Sequence, residues 1–168
     1  MARLEVGKGI HLTISAYQKT EKKLQSYIKP SVYQGAAYMS KKIVAALEAL
    51  PTQDRKGGSG LPPYIKEDKK ANSISTIQKQ DIINGFGIAS FENKKGFINV
   101  KIGFDGYGSY RTKSFPQGVP NVLVVRSLEV GTDFLKKNNI VTRTVKANEN
   151  KTIKILEEEF NKRIAKEL

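Results

Sequence analysis

The sequence predicts an α+β fold in which two N-terminal helices and a C-terminal helix pack on a small antiparallel sheet built around a β-hairpin, with long loops between the elements. Apolar residues recur at steps of three and four over residues 31–50, as on one face of a helix. Over residues 98–104 they alternate with polar residues or glycine, which is the pattern of a strand with one buried face. A helical period returns over residues 142–168. We expect one domain covering 1–168, because this is an ordinary size for a single domain.

Composition excludes several classes of site. The chain has no cysteine, which removes disulfides, thiolate nucleophiles and thiolate metal sites. Its one histidine, His11, excludes a metal cluster built on histidines. No apolar run reaches the roughly 18 residues of a membrane span, and the first residues lack the apolar core of a signal peptide. We expect a soluble protein of the cytoplasm, without cofactor, bound metal or membrane partner.

The formal net charge of +13 is open to two interpretations. Positive charge of this size attracts polyanions, of which nucleic acid is the most common. The lysines are nevertheless spread along the chain in pairs instead of forming one basic block, and such dispersion is typical of a solvated surface. These pairs are Lys22-Lys23, Lys41-Lys42, Lys69-Lys70, Lys94-Lys95 and Lys136-Lys137.

Two helices are predicted before residue 51. The first covers about 12–28, and its recurring apolar residues are Tyr17, Leu24 and Ile28. Pro30 is expected to end it, because proline lacks the amide hydrogen and clashes with the preceding turn. Ser31 can then cap a second helix over 31–50. The apolar stripe of that helix is the most regular in the chain and comprises Val32, Ala36, Met39, Ile43, Ala46 and Leu50.

A long loop is predicted over 51–73. This segment has glycines, prolines and almost no apolar periodicity, and irregular segments of such length are usually functional or disordered. We expect it to be mobile. Its GGSGLPP run is not a phosphate-binding loop, because the required Lys-Ser/Thr pair and the following helix are missing.

An antiparallel hairpin is predicted over 81–104, with a polar turn over 92–96 that ends in glycine. In the first strand Ile82, Phe86 and Ile88 are expected to share one face. In the second strand the buried face comprises Ile98, Val100, Ile102 and Phe104.

A second irregular segment, 105–121, combines aromatic and basic residues. Aromatic rings beside cations can stack on bases, so Tyr107, Tyr110, Arg111 and Lys113 are the best candidates for contact with DNA or with a protein partner. Contact between subunits is at least as good an interpretation, since protein interfaces also favour tyrosine and arginine.

Residues 122–128 are apolar and fit either a short helix or a buried strand. Glu129 follows without a visible partner acid, base or metal, so we assign it a structural role and predict no catalytic residue. Gly131 is expected to provide a positive φ or a close approach in the turn. The chain is therefore not expected to be an enzyme. A closing helix is predicted over about 145–168, and one face of it carries Ile153, Leu156, Phe160 and Ile164.

Several short motifs together resemble one protein family. The order of two helices ending in LEALP, a variable loop, a strand ending in VKIGF, a glycine-rich loop, LEVGT and a closing helix resembles the small tail-component family of tailed bacteriophages. Its most specific part is the turn motif Leu128, Glu129, Gly131 and Thr132, with Pro51 and Ile102-Gly103-Phe104 as weaker support. The chain departs from the family after Pro51, where members have a short Asp-Thr-Gly-type turn and only Asn72-Ser73-Ile74 is similar here.

The resemblance implies a structural virion protein, a neck or tail-completion subunit that joins head to tail. It implies a homo-oligomeric ring, taken as a hexamer, stacked between the head-closure or connector protein and the tail tube or tail terminator protein, with genomic DNA passing through the lumen. Such a subunit is located in the virion neck or tail and assembles in the host cytoplasm. The alternative is a stand-alone basic nucleic-acid-binding protein. A tail terminator and either type of tail, contractile or not, are also compatible with the sequence.

Overall fold

The computed structural model describes residues 21–55, 70–89, 92–94 and 97–166. In this part of the chain the helices are α1 (Glu21–Glu48), α2 (Thr76–Asn84), α3 (Asn121–Val130) and α4 (Ile140–Ile164). The strands are β1 (Phe86–Ile88), β2 (Glu92–Lys94), β3 (Phe97–Asn99) and β4 (Ile102–Phe104). The predicted α+β class, with helices packed on a small antiparallel sheet, is confirmed.

The strands form two two-stranded sheets, and the predicted turn over 92–96 is wrong at its start, because residues 92–94 form β2. β2 pairs antiparallel with β3, and Asn93 lies opposite Ile98. β1 pairs with β4. Ala89 N donates to Lys101 O over 2.8 Å, and Asp105 N donates to Gly85 O over 2.7 Å, so β1 and β4 also run in opposite directions. The rings of Phe86 and Phe104 lie on this outer pair with their centroids 4.9 Å apart.

The chain divides into two compact units, each assembled from separate segments. The first unit comprises Met1–Lys41, Ile88–Ile102 and Ala147–Leu168, and the second comprises Lys42–Gly87 and Gly103–Lys146. The single domain over 1–168 stays a prediction. No helix in the described ranges has the length and apolarity needed to cross a membrane.

In the first unit, α1 and α4 approach each other closely at Gly35. A Cβ atom there would lie 3.4 Å from Thr152 Cγ2 and 3.5 Å from Leu156 Cβ, so a larger side chain would push the helices apart. Tyr38 also donates to Asn148 Oδ1 over 3.1 Å. The buried residues of this contact region are Ile28, Val32, Ala36, Met39, Thr152, Leu156 and Phe160. In the predicted stripe, Ala46 is only half-buried, and Leu47 is buried in its place.

The predicted break at Pro30 is wrong. Residues 21–48 form one continuous helix with Pro30 inside it, and Ser31 donates its hydroxyl to Tyr27 O over 2.8 Å instead of capping a new helix. A proline in a helix interior costs about 3 kcal/mol. Ile28 and Val32, on either side of it, are both buried, and full burial of one such side chain contributes about 1.5–3 kcal/mol. Their packing offsets the proline. The part of the first predicted helix over 12–20 lies outside the described residues.

The predicted strand over residues 81–91 is wrong at its start, because residues 81–84 belong to α2. Ser75 and Gln78 form a capping box: Ser75 Oγ accepts from Gln78 N, and Gln78 Oε1 accepts from Ser75 N, each over 3.2 Å. Asp54 Oδ1 accepts from Thr76 N over 2.8 Å and satisfies another amide of the first turn. Ile82 is therefore a buried residue of helix α2, and strand β1 begins only at Phe86.

Residues 122–128 lie in a helix, α3, which decides between the two alternatives. α4 begins at Ile140, five residues before the predicted start of 145. Of the predicted mobile loop, residues 56–69 lie outside the described part. Its two ends meet, because Thr52 bridges Ile74 and Gln53 N donates to Ile74 O over 2.9 Å.

Candidate partner-binding site

The turn motif of residues 128–132 builds the corner between α3 and α4 in the second unit. Leu128 is fully buried and anchors the end of α3 in the core. Its carbonyl accepts a hydrogen bond from Asn138 N over 2.7 Å. The motif is therefore fixed both by burial and by a backbone bond across the corner.

Glu129 caps the next helix. Its Oε1 accepts from Val141 N over 2.8 Å, and its Oε2 accepts from Thr142 N over 3.1 Å and from Thr142 Oγ1 over 2.5 Å. Amide hydrogens in the first turn of a helix have no partner within the helix, and the helix dipole favours an anion there. The residue before α4, Asn139, has a positive φ of 56°. Glu129 thus supplies the cap of α4 from the preceding helix.

Gly131 and Thr132 form the tight part of the corner. Gly131 has a φ of 80°, and a Cβ atom there would lie 3.0 Å from Lys137 N and 3.2 Å from Leu135 O. Thr132 Oγ1 accepts from Leu135 N over 3.0 Å, and Thr132 N donates to Leu135 O over 2.8 Å. Only glycine combines this conformation with this close approach. All four residues of the motif therefore help to fix the same corner.

An open apolar groove of about 620 Å³ lies beside this corner, entirely within the second unit. Two of its large apolar side chains face solvent: Val130 is 63% exposed and Phe134 is 69% exposed. Among the described residues that line it, Arg126 is the one that carries a charge. The remaining lining residues are Ala71, Ser73, Ile74, Gln78, Phe115, Val119, Leu123, Val124, Ser127, Gly131, Thr132 and Leu135. Exposed apolar surface is common where proteins contact a partner, which makes this groove the candidate site.

Sequence reasoning did not identify the groove. One wall is an extended segment whose Ala71 N donates to Phe134 O, and whose Ala71 O accepts from Lys136 N, both over 2.8 Å. These residues are far apart in sequence. The one local signal was Phe134, a large apolar residue that follows Asp133 and lies two residues after the turn motif.

The loop over 105–121 carries all four candidate contact residues. Tyr107 is 61% exposed, Arg111 and Lys113 are exposed, and Tyr110 is half-buried. The loop is held by backbone bonds from Gly108 N to Val119 O over 2.8 Å and from Val119 N to Tyr110 O over 2.9 Å. Since Phe115 and Val119 also line the groove, this loop forms one of the groove's walls.

Four acidic residues of the second unit accept hydrogen bonds from backbone amides. Among the described residues they are Asp54 with Thr76, Asp81 with Ser109, Asp105 with Gly106, and Glu129 with Val141 and Thr142. Arg111, Lys113 and Arg126, by contrast, have no ion-pair partner in the part of the chain that the structure describes. The four carboxylates thus hold loops and helix ends in place, whereas the three cations keep their positive charge unpaired among the described residues.

In the described ranges, no group of three or more His, Cys, Asp or Glu residues is arranged to hold a metal. Comparisons with models of protein families, with curated proteins and with solved structures find no match to this chain.

Proposed function

We propose that this chain is a structural virion protein of a tailed bacteriophage, a neck or tail-completion subunit whose ring joins head to tail around the DNA channel. The observation that carries the proposal is the corner between α3 and α4. The residues that carry the family resemblance, Leu128, Glu129, Gly131 and Thr132, are the residues that build this corner through burial, capping and a positive φ. A motif with this structural use fits a subunit whose task is to present fixed surfaces.

The proposed role is assembly without catalysis. Glu129 is the most conspicuous carboxylate of the sequence, and three hydrogen bonds to α4 occupy its oxygens. A general acid or base needs access to a reacting group and a matched partner. The hydrogen bonds of Glu129 to the first turn of α4 serve the fold instead of a reaction.

The proposed partners follow from the same function. They are identical copies in a ring, taken as a hexamer, the head-closure or connector protein on one side, and the tail tube or tail terminator protein on the other. Genomic DNA would pass through the lumen. A closed ring needs two different complementary patches on each copy, and the apolar groove can serve as one of them.

Complementation tests this function directly. Extracts prepared without this protein from infected cells would contain separate heads and tails. Adding the purified chain to them is expected to yield joined particles, visible by negative-stain electron microscopy. A matched control is Gly131→Val, which is expected to disrupt the corner. Heads and tails that remain separate after addition of the folded wild-type protein would overturn the proposal.

A second candidate is a stand-alone nucleic-acid-binding protein. The observation in its favour is that Tyr107, Arg111 and Lys113 are exposed on one loop, with both cations lacking an ion-pair partner among the described residues. Such a loop can combine stacking with phosphate contacts. The two candidates differ in the strength of duplex binding that an isolated monomer should show.

A further inference from the structure

We infer that the apolar groove of the second unit binds α4 of a second copy of this chain, an inference that rests on the proposed function. The occupying surface is a strip on the first unit formed by Glu149, Ile153 and Glu157, which we call the acidic strip. These residues are spaced four apart and therefore lie on one face of the helix. Ile153 is 39% exposed in their middle, and both glutamates are exposed.

The groove and the acidic strip are complementary in shape. The groove is open and apolar, with Val130 and Phe134 exposed at its surface. An amphipathic helix can lay apolar side chains into such a groove, using residues three or four positions apart as anchors and guides. Ile153 is the apolar anchor that α4 offers on an exposed face.

The two surfaces are also complementary in charge. Arg126 is the charged residue of the groove and has no ion-pair partner in the described ranges. Neither Glu149 nor Glu157 is paired there either, whereas Glu159 on the same helix contacts both Lys162 and Arg163 over 3.8 Å. In a chain of net charge +13, two unpaired glutamates around an exposed isoleucine are a distinctive feature. Pairing them with Arg126 of another copy supplies opposite charge to both sides.

The resulting contact is heterologous, because a patch of the second unit meets a different patch of the first unit on the next molecule. Contacts of this type leave a free groove at one end and a free strip at the other. Further copies can then add until a ring closes.

Engineered cysteines test the pairing, because the chain has none of its own. Val130→Cys protein is mixed with Ile153→Cys protein over a concentration series, and a short bismaleimide is added. We expect a crosslinked dimer in the mixture and none in either protein alone. The matched control replaces Ile153→Cys with Tyr33→Cys, which modifies a residue of the first unit that is 47% exposed, and should give no product. A mixture that gives no dimer overturns the inference. So does a dimer formed by Val130→Cys alone, because two grooves would then face each other.

A charge exchange provides a second test that does not depend on crosslinking. Arg126→Glu places like charges in the contact, and so does the double variant Glu149→Arg/Glu157→Arg. Each alone is expected to weaken self-association by about tenfold or more, because like charges at an interface are strongly unfavourable. In a mixture of the two proteins both contacts again join opposite charges, and association measured by sedimentation velocity is expected to recover. Failure of the mixture to recover would contradict the pairing.

The outcomes separate this contact from the proposed function. Joined particles or rings without the Val130–Ile153 crosslink would remove the contact and leave the function. The crosslink and charge rescue without head-to-tail joining would keep the contact and remove the function. If Arg126→Glu abolished joining while self-association stayed unchanged, the groove would bind a different virion protein, and the second copy would be excluded as its occupant.

Discussion

Glu129 and Thr142 tie the end of one helix to the start of the next. Glu129 Oε2 accepts from Thr142 N over 3.1 Å and from Thr142 Oγ1 over 2.5 Å. The side chain of α3 thereby replaces the local residue that usually caps a helix. This explains how the segment after Asn139 becomes helical as early as Ile140, before the strong apolar period of the closing helix begins.

Glu129→Ala is expected to reduce the free energy of unfolding by about 1–2 kcal/mol, the usual cost of a lost helix cap. Urea unfolding followed by circular dichroism measures the change. Asp133→Ala is the control, because Asp133 is exposed on the same corner and its side chain makes no hydrogen bond or ion pair among the described residues. Equal stabilities of the two variants would show that the cap contributes nothing.

Gly131→Ala is expected to destabilise the protein by about 1–3 kcal/mol, because the new Cβ would meet Lys137 N at 3.0 Å in a backbone conformation with a φ of 80°. Gly87→Ala is the matched control. A Cβ atom at residue 87 would have no neighbour within 4 Å, and its φ is not positive. Thermal unfolding of both variants compares them, and a loss at residue 87 as large as that at residue 131 would contradict this explanation.

Pro30→Ala is expected to stabilise the chain. Alanine restores an amide hydrogen inside α1 and removes the ring from the preceding turn, which favours the helix by up to about 3 kcal/mol. Some of this is lost because alanine gives the unfolded chain more freedom. A rise in Tm of roughly 2–4 °C for each kcal/mol is expected for a chain of this size. Lys29→Ala, at an exposed neighbour, serves as the control, and a fall in Tm only for Pro30→Ala would show that α1 depends on the proline.

Pro30 also shows where local rules reach their limit. The rule that proline ends a helix treats the helix alone, whereas here Ile28 and Val32 are buried on both sides of the proline. Periodicity found most of the buried face of α1, although Leu47 is buried in place of Ala46. In α4 it found the buried Leu156 and Phe160 but wrongly placed Ile153, which is exposed, on the same packed face. The start of α2 had a local signal, the capping box of Ser75 and Gln78, but the alternation of Phe86 and Ile88 was extended back to Ile82 and hid the helix.

The candidate site depends on contacts that a single segment does not encode. The turn motif could be singled out because Glu129 is a charged residue between apolar neighbours and is followed by Gly131 and Thr132. The groove could not, because one wall requires Ala71 to pair with Leu135 and another requires Val119 to return toward Tyr110. Long-range backbone pairing of this kind leaves no periodic trace in either segment.

Loss of the two loop cations is expected to weaken DNA binding without affecting the fold. Arg111 and Lys113 are exposed and have no ion-pair partner in the described ranges, so Arg111→Ala/Lys113→Ala removes charge and leaves the packing intact. If both residues contact phosphates, the slope of log K against log salt becomes less steep by about 1.8, since each phosphate contact contributes about 0.9. Lys154→Ala/Lys162→Ala, which removes the same charge from exposed positions of α4, should change the slope less.

Fluorescence anisotropy with a labelled duplex, read at several salt concentrations, gives both the slope and the affinity. For a neck subunit we expect weak binding by the isolated chain, because DNA in the lumen is surrounded by many copies and each copy needs few contacts. Tight binding by the monomer, abolished by Arg111→Ala/Lys113→Ala and kept by Lys154→Ala/Lys162→Ala, would favour the stand-alone nucleic-acid-binding protein. Identical slopes for the two double variants would instead exclude the loop over 105–121 as the DNA contact and leave it as a wall of the apolar groove.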